Sequence, residues 1–318
     1  MKRQRIWAAV LAASLILSCS ACGKKENKEQ DAYRQYGITC MEAGNYEEAE
    51  KAFQNALDQS IGKVGEKELD ICFYKAKAQY LGGDEKAALE TYDSIIKYNK
   101  DARAYYLRGD LYLDMGEEKK GLSDFKEAIH RDGKNYEIYI GIYQSLSRHD
   151  RKEEGQKYLS QALEIKGDKP ADELYKGRIC YLLGEYKDAV TYLTKAKENK
   201  LEIAAYYLGC AYEADGNDKK AKACIKEYLD SGIATSYELY DLGMSEMEDG
   251  DYKEALTYFE KGLSMEQVPN KQNLMKSSIS AYEYSGDFDS AKEMMKEYLK
   301  LYPSDEEAQH ESTFLETR

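Results

Sequence analysis

The sequence predicts an all-α fold made of about eight repeated helix pairs. Three observations carry that reading. A Gly-polar-aromatic turn returns along the chain, small residues recur at fixed offsets from it, and proline and alternating strand runs are nearly absent. After Gln30 the only prolines are Pro170, Pro269 and Pro303. The runs between them are rich in Ala, Leu, Lys and Glu, a helical composition.

The N-terminus is of a different kind. Lys2, Arg3 and Arg5 precede an apolar run from Ile6 to Leu17. Twelve helical residues reach about 18 Å, short of the roughly 30 Å of a hydrocarbon core. A basic start, a short apolar stretch and small residues after it are the parts of a secretory signal. The stretch Ser20-Ala21-Cys22 resembles the lipobox of bacterial lipoproteins, in which the signal is cut before a cysteine that becomes the lipidated N-terminus. Two cysteines compete for that role. Cys19 has the aliphatic Ile16 three residues before it but the bulky Leu17 in between, whereas Cys22 has the small pair directly before it. The polar stretch "GKKENKEQ" behind it favours Cys22. An ordinary cleaved signal with incidental cysteines is the plain alternative. The expected organisation is a signal over 1–21 and a polar tether over 22–29. The resemblance implies palmitate-type acylation at Cys22 and a place on the cell membrane, lipid-anchored on its extracytoplasmic side. Two acyl chains make such an anchor stable, where one would not.

Self-similarity organises the chain from residue 30 onward. "EAGNYEEAEKAFQNALD" at 42–58 returns as "LLGEYKDAVTYLTKAKE" at 182–198, "EDGDYKEALTYFEKGLS" at 248–264 and "YSGDFDSAKEMMKEYLK" at 284–300. Aligned on the small residue of the second helix, the copies read Ala49, Ala88, Gly121, Gly155, Ala189, Ala221, Ala255 and Ala291. Five residues before each stands the turn: Gly44, Gly83, Gly116, Asp150, Gly184, Gly216, Gly250 and Gly286. Four residues after it is an apolar side chain: Phe53, Tyr92, Phe125, Leu159, Leu193, Ile225, Phe259 and Met295. Twelve residues before it the chain is small at Gly37, Ala76, Gly109, Gly177, Gly209 and Gly243, the exceptions being Tyr143 and Ile279. Small residues let paired helices approach, and the large one fills the gap beside them.

This pattern resembles the tetratricopeptide repeat, whose unit of about 34 residues is a pair of antiparallel helices. The resemblance implies a right-handed superhelical solenoid with repeats at 30–63, 69–101, 102–135, 136–169, 170–201, 202–235, 236–269 and 272–305. The fourth copy, with Asp150 at its turn and Tyr143 at a small position, is expected to be splayed or shifted. Residues 306–318 read as a polar capping helix or tail, with Ser304 and Glu307 at capping-box spacing.

Composition narrows the function. The signal holds three basic residues and no acid, so its removal takes the formal charge from −13 to −16. A chain this acidic, without a basic stripe, excludes nucleic acid as the expected partner. The cysteines after the lipobox, Cys40, Cys72, Cys180, Cys210 and Cys224, are odd in number and show no disulfide framework. His130, His149 and His310 form no ligand-spaced pair, and no HExxH, GxSxG or phosphate-loop motif occurs. "EDGDYKE" and "EADGNDKK" look like calcium loops but lack the remaining ligands and fall on repeat turns. The sequence therefore predicts no cofactor, no metal and no catalysis.

In this repeat family the first helix of each pair lines the concave side, where ligands bind. Carried over, the resemblance assigns a partner-binding groove to Phe73, Lys77, Tyr80, Arg103, Tyr106, Asp110, Asp114, Arg178, Tyr181, Tyr206, Tyr237, Tyr240, Met244 and Tyr284. Each tyrosine has the plain alternative of packing between repeats. The basic residues Arg34, Lys77, Arg103, Arg148 and Arg178 are mixed with acids and make no clamp for an acidic peptide. The expected function is a lipid-anchored scaffold that grips a protein or peptide. A glycan- or solute-binding lipoprotein and an envelope-complex assembly factor are the alternatives. A Cys22→Ala chain should no longer fractionate with membranes or incorporate labelled palmitate; a variant that still does both removes the assignment to Cys22.

Overall fold

The protein is seen in a computed structural model that describes residues 22–60, 64–167, 169–303 and 305–318, with side chains from Lys28 onward. The signal residues and Cys19 lie outside the described residues, and so do Ser304 and part of the link at 61–63. Among the described residues there are seventeen helices and no strand. They run as α1 (Cys22–Glu42), α2 (Tyr46–Asp58), α3 (Glu66–Leu81), α4 (Glu85–Asn99), α5 (Ala102–Asp114) and α6 (Glu118–Arg131). Next come α7 (Tyr136–Arg148), α8 (Lys152–Leu163), α9 (Pro170–Leu183), α10 (Tyr186–Glu198), α11 (Ile203–Ala214) and α12 (Asp218–Ser231). The last five are α13 (Ser236–Asp249), α14 (Tyr252–Leu263), α15 (Lys271–Ser285), α16 (Phe288–Leu301) and α17 (Glu306–Leu315). The stretch 22–29 is helical and continuous with the rest of α1. None of these helices is long and apolar enough to cross a membrane.

The chain divides into two compact units: residues up to Thr91 together with Thr235–Arg318, and Tyr92–Ala234. The helix ends explain why the elements stop where they do. Asp101, Asn135, Thr235, Asp251 and Asp287 each accept a backbone N–H at the start of the next helix, satisfying donors that the helix cannot. All eight turn positions of the alignment have positive φ, from 58° at Asp150 to 83° at Gly83. Asp150 is thus a left-handed turn residue in the place of a glycine, at the steric cost a Cβ carries there.

In the second unit the pairing rests on close approach. A Cβ on Gly109 of α5 would lie 2.8 Å from Phe125 of α6, and a Cβ on Gly121 would lie 2.7 Å from the Gly109 carbonyl oxygen. Gly177 and Gly209 stand in the same way under Leu193 and Ile225. Phe125 and Leu193 are fully buried as a result, and Ile225 is half-buried.

The fourth pair, α7 and α8, corrects the expectation that it would be splayed. Tyr143 is buried, and its Cα lies 3.1 Å from the place a Cβ on Gly155 would take. The first helix has lost its small residue, but Gly155 of the second, with no Cβ, still lets the backbones meet. Gly141, two residues before Tyr143, leaves room for the ring of Tyr106. The cluster around this pair runs from Leu113 and Phe125 through Ile138, Ile142 and Leu146 to Leu159 and Ile179. One charged group is buried beside it. Arg108 donates twice to Asp124, at 2.7 and 2.8 Å, and once to Asp93, at 2.5 Å. The hydrogen bonds to Asp124 hold its guanidinium above the ordinary arginine range.

In the first unit Phe53 of α2 sits on Gly37 of α1, 2.6 Å from where a Cβ would be, and Phe259 of α14 sits on Gly243 of α13 in the same way. Phe53 also stacks on Tyr74 of α3, with centroids 5.6 Å apart. The two chain segments of this unit meet at a tyrosine. Tyr302, just after α16, donates its hydroxyl to the carbonyl of Glu42 at 3.0 Å. Its ring lies 3.1 Å from a Cβ position on Gly44. Burial first, then Tyr46 and Glu42, pushes that phenol up to about 12. The first repeat's turn is therefore fastened to the end of the eighth repeat.

Helix α17 closes the unit, with Ala308 and Leu315 buried against Met275, Ile279 and Met295. Its N-cap is Asp305, whose side chain accepts from Ala308 N at 3.1 Å; the box expected from Ser304 lies outside the described residues. Cys40, Cys72, Cys180 and Cys224 are free thiols, Cys40 and Cys180 being buried.

These contacts set the expected stability of two variants. Gly109→Ala would gain about 1 kcal/mol of helix propensity, but the ring of Phe125 and the Gly121 carbonyl leave no room for the methyl. The net effect should be a loss of about 1–3 kcal/mol in urea unfolding. Asp150→Gly should do the reverse and raise stability by about 0.5–1 kcal/mol, because it relieves a left-handed Cβ at an exposed turn. A lower urea midpoint for Asp150→Gly would refute the account of that turn.

Candidate partner-binding site

The residues assigned to a groove lie on the first helices, and each unit presents its own set. In the second unit, α5 and α7 bring together a charged cluster. Asp110 accepts from Arg148 at 2.6 Å and also from the hydroxyl of Ser145. Asp114 lies 3.0 Å from His149 Nε2. The carboxylates of Asp110 and Asp114 and a ring nitrogen of His149 lie within 4.8 Å of one another, close enough to hold a metal ion. Arg148, however, already places its positive charge on Asp110. Sequence reading missed this cluster because its members lie 35 to 38 residues apart. The one available signal was the Asp110/Asp114 pair, i and i+4 on one helix face, set one repeat away from a basic helix end.

The tyrosines divide. Tyr106 packs on Gly141 and stands 6.2 Å from the ring of Phe125. Burial first, then the charge of Asp110, pushes its phenol up to about 12. Tyr206 is a correction to the groove set. It is 5 % exposed, enclosed by Tyr207 at 5.0 Å and Tyr228 at 5.4 Å, and belongs to the packing of α11 on α12. Tyr181 is half-buried, 6.1 Å from Tyr186. Arg178 donates to Glu137 at 3.0 Å and lies over the rings of Tyr175 and Tyr207. Arg103 is exposed and pairs with Asp101 at 2.7 Å, at the cap of its own helix.

In the first unit Phe73 and Tyr80 of α3 are half-buried and Lys77 between them is exposed. On α13, Tyr240 is half-buried 6.1 Å from Phe259, and the sulfur of Met244 accepts from Ser277 at 3.5 Å. Tyr237 is 51 % exposed. Burial first, then Tyr74 and Glu42, raises its phenol. Tyr284 is 68 % exposed and stacks on Tyr252 at 5.4 Å.

A common device links the charges on these helices. Lys67 pairs with Asp31, Arg34 with Asp70, Arg148 with Asp110 and Arg178 with Glu137, each between neighbouring first helices. Pairs this exposed add up to about 1 kcal/mol apiece. Their larger effect is to neutralise these eight charges, on faces that also offer aromatic rings, sulfur and hydroxyls for recognition.

Comparison with known proteins agrees with this architecture. Models of the tetratricopeptide repeat match residues 37–102, 102–135, 239–268 and 272–305, together about half of the chain. The DnaJ homolog subfamily C member 3 of Gallus gallus is 29 % identical over 130 residues, covering 36 % of this chain and 26 % of that protein. The chain thus spans about a quarter of that relative. Yeast Tom70 superposes with a TM-score of 0.50 at 16 % identity, covering 98 % of this chain and 57 % of Tom70. A tetratricopeptide repeat protein from Parabacteroides merdae covers 79 % of this chain and 98 % of its own, at 15 % identity and a TM-score of 0.47. The likeness to Tom70 concerns the fold alone, an all-α solenoid of helix pairs. With its helix pairs, its left-handed turns and the repeat models in agreement, the chain belongs to the tetratricopeptide-repeat family.

Proposed function

We propose that this chain is a lipid-anchored, extracytoplasmic scaffold that holds a protein or peptide partner on its first helices. Repeats of this family serve in general as non-catalytic scaffolds for protein–protein interaction. The observation that carries the reading for this chain is the chemistry of the first-helix faces. In the first unit Lys67 pairs with Asp31 and Arg34 with Asp70, while Tyr237, Tyr240, Met244 and Tyr80 keep exposed or half-exposed apolar surface. A face of that kind binds by ring and thioether contact with a hydroxyl rim, the composition of protein interfaces. Anchoring through Cys22 rests on the sequence before it, where a short apolar run ends in Ser20-Ala21-Cys22.

The test is photo-crosslinking in cells from Tyr237 and Tyr240, with Lys296 on the exposed side of α16 as the control. The expected outcome is one recurrent protein adduct from the first-helix positions that is absent from Lys296. Adducts that contain no protein, together with oligosaccharide quenching of tyrosine fluorescence, would overturn the scaffold in favour of glycan binding.

A further inference from the structure

We propose that the C-terminal half of α17 is held by a shared proton. Glu283 on α15 and Glu311 on α17 meet carboxyl to carboxyl, and the contact closes when one proton lies between them and loosens when it leaves. The geometry points there directly. Glu283 Oε1 is sealed from solvent and has no hydrogen-bond partner, and the carboxyl within hydrogen-bonding reach of Glu283 is that of Glu311. Two carboxylates cannot make that bond, because an ionised carboxylate only accepts; one member must hold a proton. Burial first, then the charge of Glu311, pushes Glu283 up to about 7.

The repeat register supports a neutral side chain at this place. The position of Glu283 in the other copies is held by Met41, Tyr80, Leu113, Ser147, Tyr181, Glu213 and Met247. Five of those seven are apolar or aromatic. A protonated glutamate fits that pattern, and an ionised one does not.

The neighbouring charges are occupied elsewhere. On α15, Lys276 bonds to Asp305 at 2.9 Å and to Glu307 at 3.4 Å. Tyr282 donates to Glu260 of α14 at 2.9 Å. At the start of α16, Asp287 accepts from Ser290. On α13, the position one repeat before Glu283 is Met247, which brings no charge, and the nearby Glu248 is exposed. The guanidinium of Arg318 lies over Phe288 and Phe314. His310 is exposed on α17 and is next to Glu311 in sequence, so it faces another side of the helix.

The two halves of α17 are therefore fixed by different chemistry. The N-terminal half hangs on Asp305. Burial opposes its ionisation, but bonds from Tyr298, Lys276 and Ala308 N outweigh burial and hold it down to about 2. That anchor is unchanged across neutrality. The Glu283 carboxyl has its folded value above its ordinary one, so docking is favoured in acid and lost as pH rises through about 7. The segment that would loosen carries Glu311, Phe314 and Leu315, and it seals the last apolar seat against Met275 and Ile279.

Amide hydrogen exchange on the full chain at pH 6 and pH 8 tests this, with protection factors corrected for the intrinsic rate. Protection over residues 311–316 is expected to fall by about tenfold from pH 6 to pH 8, for one linked proton. Protection over 306–309 should stay constant. Glu283→Gln and Glu311→Gln should each remove the fall, and His310→Gln should keep it. If one of the two glutamate variants does not fold, the other reads the same proton from the opposite side. Protection that does not depend on pH in the native chain would overturn the proposal. So would a fall that survives both glutamate variants, or one abolished by His310→Gln.

Discussion

The distance between the two helices of a pair governs this protein. Where the first helix carries glycine, the second can lay a Phe, Leu or Ile directly on its backbone, as Phe53 does on Gly37 and Phe125 on Gly109. Phe53, Phe125, Leu193 and Phe259 are then wholly buried, and Ile225 is half-buried. A wider pair would leave a void beside each large residue, and dispersion contacts fall steeply across such gaps. In a chain whose repeats touch mainly their neighbours, each pair must make its own core. The small-on-large contact is that core, repeated.

The fourth pair shows that the constraint is on the gap, not on the residue. Tyr143 stands where the other copies carry something small, yet the helices remain close because Gly155 opposes it. The same pair moves its left-handed turn onto Asp150. Both exchanges keep the geometry while changing the letters. Tyr302 adds a contact of another order. Its bond to the Glu42 carbonyl joins segments 260 residues apart, so the first and last repeats become parts of one compact unit.

The faces of the first helices obey a second rule. Arg34, Lys67, Arg148 and Arg178 are taken by acids of the neighbouring repeat. Neutralisation of this sort shifts recognition from charge to shape, and tyrosine and methionine supply it.

The sequence by itself determined the helical class, the number of pairs and the place of each turn. Those depend on local chemistry: glycine or Asp150 at positive φ, and small and large residues at helical spacing within one repeat. The positions aligned from letters alone are the positions in contact, Gly37 with Phe53 and Gly243 with Phe259. Only the tertiary structure decided that Tyr206 is interior, that Asp110 and Asp114 meet Arg148 and His149, and that Tyr302 reaches Glu42. The reason is physical. A tyrosine looks the same in sequence whether its ring meets solvent or Tyr228, and a carboxylate's partner one repeat away depends on how neighbouring helices are rotated. That rotation is set by packing between pairs, which no single repeat contains.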